Sequence, residues 1–369
     1  MKFSCYKSDL VEALQFVLRA VAVKPMTPIL SGVYLKAENS TLELQGNNFS
    51  TGIITKIPVN AEAAGEVVVS GKRLQDFARK MPEDIINFSN EGDEGMLSME
   101  SGSAGVELLT MPVIDFPKVK TPEIDKNFRV KTQVMRNLIR KTIFAVSKDE
   151  TRPIFTGGSF EVDGDKISLV TTNTHRLALA TENLSESYDS CSFIVPAETL
   201  RGLLSRIDPR DPGNYMLVSY STRYVTFSFD NVYVTSRLIE GQFPPYNRVI
   251  PASSSTTATV ATDKFKEAIE FVSLMSKETE YNTVKLEFSG KNLEISSNSP
   301  DIGGALKSID AEIDGDEVEI FFNVDYLADV ARVIDTMDMT IALNDRYSPA
   351  AFREPENENY IYVATPVRA

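Results

Sequence analysis

The side chains of this sequence that could carry out catalysis form none of the usual catalytic motifs. The sequence has one histidine, His175, which excludes a zinc site built from several histidines. Residues 65–72, GEVVVSGK, resemble a phosphate-binding loop, but five residues separate the glycines and Arg73 stands where Ser or Thr would hold magnesium. Acidic residues flank glycine at 163–165 and 314–316, a composition that favours hairpin turns over metal ligands. We therefore expect no catalytic site, no metal and no cofactor.

Lysine and arginine are the second group of side chains that could do chemistry here, because they contact phosphate groups. The chain as a whole is acidic, with a net charge of −14. Residues 70–82 nevertheless carry four basic residues against Asp76, and residues 131–148 carry five basic residues and no acidic one. Basic helices on an acidic body suit sequence-independent contact with nucleic-acid phosphates. The helix propensity of Lys and Arg would also explain basic helices without any ligand. Charge alone leaves both interpretations open.

Three copies of one pattern position these residues. Strand-like segments ending in small polar residues begin 125 and then 126 residues apart, at residues 41–48, 166–173 and 292–299. Each copy reads helix, strands, helix, strands, which predicts two helices packed on one side of an antiparallel sheet. The fold class is therefore α+β, with three repeated domains at residues 1–122, 127–251 and 254–369.

Six helices are predicted from apolar spacing, at residues 7–24, 70–82, 131–148, 196–211, 262–278 and 323–338. Ser8 and Thr262 are candidate N-caps. The chain lacks a run of about 18 apolar residues, so we expect no transmembrane helix and no membrane partner. The two cysteines, Cys5 and Cys191, cannot form a disulfide framework, which favours a cytoplasmic location.

Six segments resemble the family of bacterial β sliding clamps. They are KPMTPILSGVYL (24–35), DETRPIFTGGSF (149–160), TTNTHRLAL (171–179), RLIEGQFPPYNRVIP (237–251), SNSPDIGGA (297–305) and YVATPVRA (362–369). Their order, the triplication and the length fit this family over the whole chain, whereas the clamps of eukaryotes and archaea usually have two such domains. The resemblance implies a non-catalytic, head-to-tail homodimer that forms a six-domain ring around duplex DNA and tethers the replicative DNA polymerase.

Candidate DNA-contacting residues are the basic residues of the predicted helices: Lys24, Arg73, Arg79, Lys80, Arg136, Arg140, Lys141, Arg201 and Lys264. The resemblance also implies a pocket between the second and third copies that takes short linear peptides from polymerases, the clamp loader and repair proteins. It assigns to this pocket Arg152, Phe155, Thr172, His175, Arg176, Leu177, Pro244, Arg248, Val249, Asn323, Tyr326, Val363, Pro366, Val367 and Arg368. Candidates for the dimer interface are Leu108, Leu274 and Met275, unless they are buried in their own domains.

Two departures from the family pattern concern the pocket. Asn173 stands where the family usually has Asp, and Thr365 stands where methionine is common. Two other functions remain open on the sequence. One is a repeat-built scaffold that binds peptides without encircling DNA, and the other is a metal-dependent phosphoesterase that uses scattered carboxylates.

Overall fold

The structure, a computed structural model, describes residues 1–23, 25–90, 95–122, 124, 126–210, 213–276, 282–299, 303–355 and 357–367. Within these residues the six predicted helices are confirmed, each inside its predicted range. They are α1 (Lys7–Val17), α2 (Gly71–Lys80), α3 (Thr132–Thr142), α4 (Ala197–Arg206), α5 (Thr262–Ser276) and α6 (Val324–Val333). None of the helices in the described part of the chain is both long and apolar enough to cross a membrane.

The first copy contributes β1 (Lys2–Tyr6), β2 (Gly32–Glu38), β3 (Thr41–Asn47), β4 (Thr51–Pro58), β5 (Asn60–Ala63), β6 (Gly65–Ser70), β7 (Ile85–Ser89), β8 (Met96–Ser101) and β9 (Ala104–Met111). The second contributes β10 (Lys126–Lys131), β11 (Gly157–Thr172), β12 (Arg176–Pro196), β13 (Tyr215–Tyr220), β14 (Tyr224–Phe229) and β15 (Val232–Arg237). The third contributes β16 (Thr256–Ala261), β17 (Thr283–Ser289), β18 (Asn292–Ser299), β19 (Gly303–Asp314), β20 (Val318–Asn323), β21 (Asp338–Leu343), β22 (Ala350–Glu354) and β23 (Asn357–Ala364).

The predicted N-caps are wrong. Tyr6, an extended residue at the end of β1, leads directly into α1, so Ser8 lies inside the helix and its hydroxyl donates to the Asp9 side chain at 3.0 Å. Thr262 is the first residue of α5, and its buried hydroxyl has no hydrogen-bond partner among the described residues. A side-chain cap occurs at α6, where Asn323 accepts a hydrogen bond from a backbone N–H of the first turn.

The first compact unit comprises Met1–Arg136 and Glu198–Leu238. Its sheet has the strand order β10-β13-β14-β15-β4-β3-β2-β6-β9-β8-β7-β1-β5, with β15 of the second copy paired antiparallel to β4 of the first. Helices α1 and α2 pack against each other, and α1 also packs on β3 and β4. The helical spacing places Leu10, Leu14 and Leu74 in the core, fully buried.

The second unit comprises Asn137–Ala197 and Ile239–Ala369. Its sheet has the order β11-β12-β23-β22-β21-β16-β19-β18-β17-β20, and β12 of the second copy pairs antiparallel with β23 of the third. Helix α5 packs against α6 and lies on β18 and β19. Phe265, Ile269 and Leu327 are fully buried there. Each copy thus combines two helices with antiparallel strands, which confirms the α+β class.

Candidate functional site

A tight turn between β11 and β12 carries the only histidine of the sequence. Thr174 takes a left-handed backbone with a φ of 75°, and its N–H donates to the Thr172 hydroxyl at 3.0 Å. The side-chain oxygen of Asn173 accepts from the N–H groups of His175 and Arg176, both at 3.0 Å. An amide oxygen accepts these bonds as a carboxylate oxygen would, so Asn173 is compatible with this turn.

The chain end lies beside this turn. The carbonyl oxygen of His175 accepts a hydrogen bond from the Thr365 N–H at 2.9 Å and a second from the Thr365 hydroxyl at 2.8 Å. Thr365 directly follows β23, whose Val363 is paired with Leu177 of β12. Strand pairing between residues far apart in the sequence therefore builds one wall of the site.

The apolar pocket is a cavity of about 680 Å³ in the second unit. Leu177 and Val363, both buried, form part of its lining together with Val249, whose side chain is 51% exposed. The short 3₁₀ turn Tyr246–Val249 presents Val249 and Arg248 to it. Nine of the residues assigned by resemblance line this pocket: Phe155, Thr172, His175, Arg176, Leu177, Pro244, Arg248, Val249 and Val363. A largely apolar cleft with a few polar groups is the usual form of a peptide or ligand site.

A second cavity, the polar pocket, has a volume of about 660 Å³. It shares four lining residues with the apolar pocket: Phe155, Thr174, His175 and Arg176. Arg152 and Tyr326, also assigned by resemblance, line it. The two pockets therefore adjoin, and the turn after β11 contributes to both.

Arg176 links the turn to α6. Its guanidinium lies 2.7 Å from the Asp329 carboxylate and 4.5 Å from the centre of the Tyr326 ring, and it donates to the Phe144 carbonyl at 2.5 Å. Burial lowers the pKa of Arg176, but Tyr362 and Asp329 outweigh it, so that the pKa is raised. Arg176 is held as a fixed cation between the pockets.

Three assigned residues do not line either pocket, and a fourth lies outside the described residues. Asn323 caps α6, and its side-chain oxygen accepts from the Asp325 N–H at 2.9 Å. Beyond Pro366, the Val367 N–H donates to the carbonyl of Phe321 in β20 at 2.8 Å. In the part of the chain that the structure describes, β20 is the last strand of its sheet, so the backbone of its outer edge can accept that bond. Pro366 lines neither pocket, and Arg368 is the residue that is not described.

Several residues that line the apolar pocket were not predicted. Tyr246 and Ile250 belong to the same segment as the predicted residues Pro244, Arg248 and Val249. Their aromatic and aliphatic side chains could have indicated that they line an apolar pocket. The others are Thr174, Pro245, Pro251, Ala252, Asn344, Ser348, Pro349 and Thr365. Residues 344–349 lie in a turn between β21 and β22, and nothing in their sequence separates them from other surface turns.

Helix α2 presents the clearest basic surface. Arg73, Arg79 and Lys80 are exposed on the side of the helix opposite buried Leu74 and Ala78. Within the described residues none of these three cations has an ion-pair partner. They remain available for phosphate groups.

Lys141 was expected to contact DNA, and the structure contradicts this. Its side chain is 8% exposed, and its Nζ lies 2.7 and 2.8 Å from the carboxylate oxygens of Glu354, which is 3% exposed. The same ammonium lies 5.1 Å from the centre of the Tyr360 ring. Burial of a charged lysine is costly unless the charge is paired, and this ion pair withdraws Lys141 from solvent.

The remaining basic candidates are less free than those of α2. Arg140 donates to the Asp335 carboxylate and to the Val333 carbonyl, the latter at 3.2 Å. Arg136 is half-buried, and its Nε has no partner among the described residues. Arg201 pairs with Glu198 at 2.6 Å and Lys264 with Glu267 at 3.4 Å, while Lys24 lies outside the described residues.

The dimer candidates divide between surface and core. Leu108 is 5% exposed and pairs with Leu97 inside the first unit, so its assignment to an interface is wrong. Its neighbour Leu109 is exposed instead, because successive residues of a strand face opposite sides. Leu274 is 70% exposed on α5, and Met275 is half-buried.

Comparisons with known proteins match the chain from end to end. Models of the DNA polymerase III beta subunit match residues 1–120 (N-terminal domain), 129–245 (central domain) and 247–368 (C-terminal domain). The chain is 31% identical to the beta sliding clamp of Bacillus subtilis (strain 168) and 28% identical to that of Escherichia coli (strain K12), with 100% of each chain covered.

Solved structures agree with these matches. The DNA polymerase sliding clamp from Bacillus subtilis has a TM-score of 0.90 at 30% identity, covering 100% of this chain and 99% of that one. A DnaN sliding clamp from Pseudomonas aeruginosa, bound to griselimycin, has a TM-score of 0.91 at 28% identity, covering 100% of both. The resemblance carried by the six segments is thereby confirmed, and the chain belongs to the DNA polymerase III beta subunit family, the bacterial β sliding clamps.

Proposed function

We propose that the apolar and polar pockets together form the site through which this sliding clamp binds linear peptides of its partner proteins. As a member of its family the chain is a non-catalytic processivity subunit. It works as a homodimeric ring around duplex DNA and binds the replicative polymerase, the clamp loader and other clamp-binding proteins. The proposed place of action is the cytoplasm, and the proposed domains are residues 1–122, 127–251 and 254–369.

One observation carries the peptide site: apolar side chains from three separate segments converge on one open cavity. Leu177 and Val363 come from paired strands, and Val249 comes from the segment that leads into the third copy. Val249 is half exposed although it is aliphatic, so docking of an apolar side chain would remove its surface from water. The cations Arg152 and Arg248 border the cavities and can receive peptide carbonyl or carboxylate groups.

Retention on DNA is proposed to be topological rather than adhesive. A closed ring needs only weak phosphate contacts, and tight contacts would slow sliding. The exposed cations of α2 are the best placed for such contacts among the predicted residues. Equal retention on linear and on nicked circular DNA, after loading by a clamp loader, would contradict this mechanism.

The peptide site is tested by calorimetric titration with a peptide of the QLxLF type. Val249→Asp places a charge on the wall of the apolar pocket and should weaken binding at least tenfold, about 1.4 kcal/mol. Ile114→Asp is the matched control, because Ile114 is an exposed isoleucine of the first unit. An unchanged affinity of the Val249→Asp protein would place the peptide elsewhere.

A further inference from the structure

The turn that carries His175 recurs in the first copy, 125 residues earlier in the sequence. Residues 47–51 connect β3 to β4 as residues 172–176 connect β11 to β12. The φ of Phe49 is 68°, close to the 75° of Thr174. Both residues have a left-handed backbone although neither is glycine. The corresponding pairs are Asn47 with Thr172, Asn48 with Asn173, Phe49 with Thr174, Ser50 with His175, Thr51 with Arg176 and Gly52 with Leu177.

The hydrogen bonds of the two turns also correspond. The side-chain oxygen of Asn48 accepts from the N–H groups of Ser50 at 3.0 Å and Thr51 at 2.8 Å, as Asn173 does in the later turn. The side-chain oxygen of Asn47 accepts from the Phe49 N–H at 2.8 Å, as the Thr172 hydroxyl accepts from Thr174. The two turns therefore share one backbone scaffold.

The neighbouring strand is repeated as well. Thr235 of β15 pairs with Gly52 of β4, in the way that Val363 of β23 pairs with Leu177 of β12. The Arg237 N–H donates to the carbonyl of Ser50 at 2.8 Å, as the Thr365 N–H donates to that of His175 at 2.9 Å. In the first unit, β15 thus lies beside the turn at residues 47–51 as β23 and Thr365 lie beside the turn at residues 172–176.

A cavity of about 760 Å³ lies at this place in the first unit, and we call it the basic pocket. Its lining differs chemically from that of the apolar pocket. Leu177 is replaced by Gly52, where an added methyl group would come within 2.9 Å of Thr235 and Val119. Val363 is replaced by Thr235, so neither of the two central apolar side chains has a counterpart here.

The basic pocket is lined by cations and aromatic rings instead of aliphatic side chains. Lys118, Lys120 and Arg237 line the basic pocket, and none of its described lining residues is acidic. Lys118 is already paired with Glu66 at 3.0 Å, which leaves Lys120 and Arg237 for a ligand. This is a local positive charge on a chain whose net charge is −14.

The aromatic residues of the lining differ in exposure: Phe49 is exposed, Tyr224 is half-buried and Phe116 is buried. Phe49 lines the pocket, is 60% exposed and has a left-handed backbone. Tyr224 lies on β14 with the Arg237 guanidinium 5.9 Å from its ring centre. An aromatic ring entering the pocket could pack on Phe49 or Tyr224 while acidic groups meet the two cations.

We propose that the basic pocket is a second docking site, which takes an acidic linear peptide containing an aromatic side chain. The shared scaffold favours a peptide, because the same turn and strand build the apolar pocket. Single-stranded nucleic acid would require a basic groove that follows several nucleotides. Here one cavity is flanked by Lys120 and Arg237, neither of which has an ion-pair partner among the described residues. Charge complementarity selects the acidic class of peptide.

The test uses a fluorescent peptide of sequence DDFDD, acetylated and amidated at its ends, and the full chain. Lys120→Glu combined with Arg237→Glu should raise its Kd at least fivefold, because two attractive charges become repulsive. The matched control, Lys166→Glu with Lys291→Glu, makes the same change in net charge at exposed sites elsewhere and should have little effect. Phe49→Gly keeps the left-handed backbone, removes the ring and should raise the Kd at least threefold.

Two further binding measurements distinguish this site from the peptide site proposed above. Val249→Asp should leave DDFDD binding unchanged, while the basic-pocket double variant should leave QLxLF binding unchanged. The amide peptide NNFNN should bind at least fivefold more weakly than DDFDD. The proposal is overturned if the double variant binds DDFDD like the wild type, or if NNFNN binds equally well. It is also overturned if oligothymidylate displaces DDFDD and loses affinity in the same variant, which would make the pocket a nucleic-acid site.

Discussion

The carbonyl oxygen of His175 accepts two hydrogen bonds from Thr365, one from the backbone N–H and one from the hydroxyl. A methionine, common at this position in the family, could make only the first. The departure at Thr365 therefore adds a tie between the chain end and the turn. The corresponding residue of the first copy, Arg237, makes the backbone bond alone.

Removal of residues 365–369 should weaken a QLxLF peptide at least tenfold, about 1.4 kcal/mol, because the chain end fixes one wall of the apolar pocket. Thr365→Val keeps the backbone hydrogen bond and should change the Kd less than about fivefold, since a net hydrogen bond contributes only about 1 kcal/mol. Calorimetric titration of both variants measures this. Equal affinity of truncated and full-length protein would show that the chain end plays no part.

Removing one partner of the buried Lys141–Glu354 pair should destabilise the protein more than replacing both partners. Lys141→Ala leaves a buried carboxylate without its cation and should lower the free energy of unfolding by about 3–5 kcal/mol. Lys141→Met combined with Glu354→Gln should recover most of that loss, since no buried charge remains and the glutamine oxygen can still accept from the Asp335 N–H. Urea unfolding measures both, and Lys264→Ala, at an exposed pair, should shift the free energy by less than about 1 kcal/mol.

Charge reversal on α2 should weaken DNA binding without unfolding the protein. In the triple variant Arg73→Glu, Arg79→Glu, Lys80→Glu, the slope of log affinity against log salt should fall by up to about 0.9 for each phosphate that the helix no longer neutralises. Titration of short duplex DNA at several salt concentrations measures the slope. Lys166→Glu combined with Lys291→Glu, at exposed lysines outside the predicted DNA-contacting residues, is the control, and an equal effect for each reversed charge would argue against α2.

Leu274 should lie in the contact between two chains. Leu274→Asp places a charge on an exposed apolar residue of α5 and should shift the protein toward the 40.9 kDa monomer in light scattering. Val249→Asp, which alters the apolar pocket, should remain a dimer. Leu108→Ala should instead lower stability by about 2–5 kcal/mol, because it empties a core position. A dimeric Leu274→Asp protein would exclude this residue from the interface.

Cys5 should make stability fall at alkaline pH. Burial, with the Asp9 carboxylate adding to it, raises the pKa of the Cys5 thiol from the ordinary 9.0 to about 12. Above pH 9 the unfolded chain loses this proton while the folded chain keeps it, so the unfolded state is favoured.

At about pH 10 this difference amounts to roughly 1.4 kcal/mol relative to pH 8. Cys5→Ala should remove that part of the pH dependence, whatever its constant effect on packing. Urea unfolding of both proteins at the two pH values gives the difference between them, in which all other titrating groups cancel. Parallel pH profiles would contradict the assignment.

The sequence predicts the elements of this fold well, because local spacing determines them. All six helices lie inside the predicted ranges, and most residues assigned to the peptide site meet in the apolar pocket. The N-cap errors at Ser8 and Thr262 are local, whereas the error at Lys141 concerns a pairing that local patterns do not contain. Glu354 lies 213 residues from Lys141, and nothing near Lys141 distinguishes a buried lysine from a surface one. Leu108 and Leu109 are adjacent and identical, so the sequence does not indicate which of them faces the core.

Strands of the second copy are shared between two sheets, with β15 completing the sheet of the first copy and β12 that of the third. A copy cut out of the chain would therefore lack a partner strand. The isolated first copy would expose the backbone of β4, whose sequence TGIITKIP is rich in β-branched residues. Such an edge is a template for aggregation. Each copy therefore depends on strands of its neighbour in the same polypeptide. Fragments separated by proteolytic cleavage between the copies would be prone to aggregation rather than folded as independent domains.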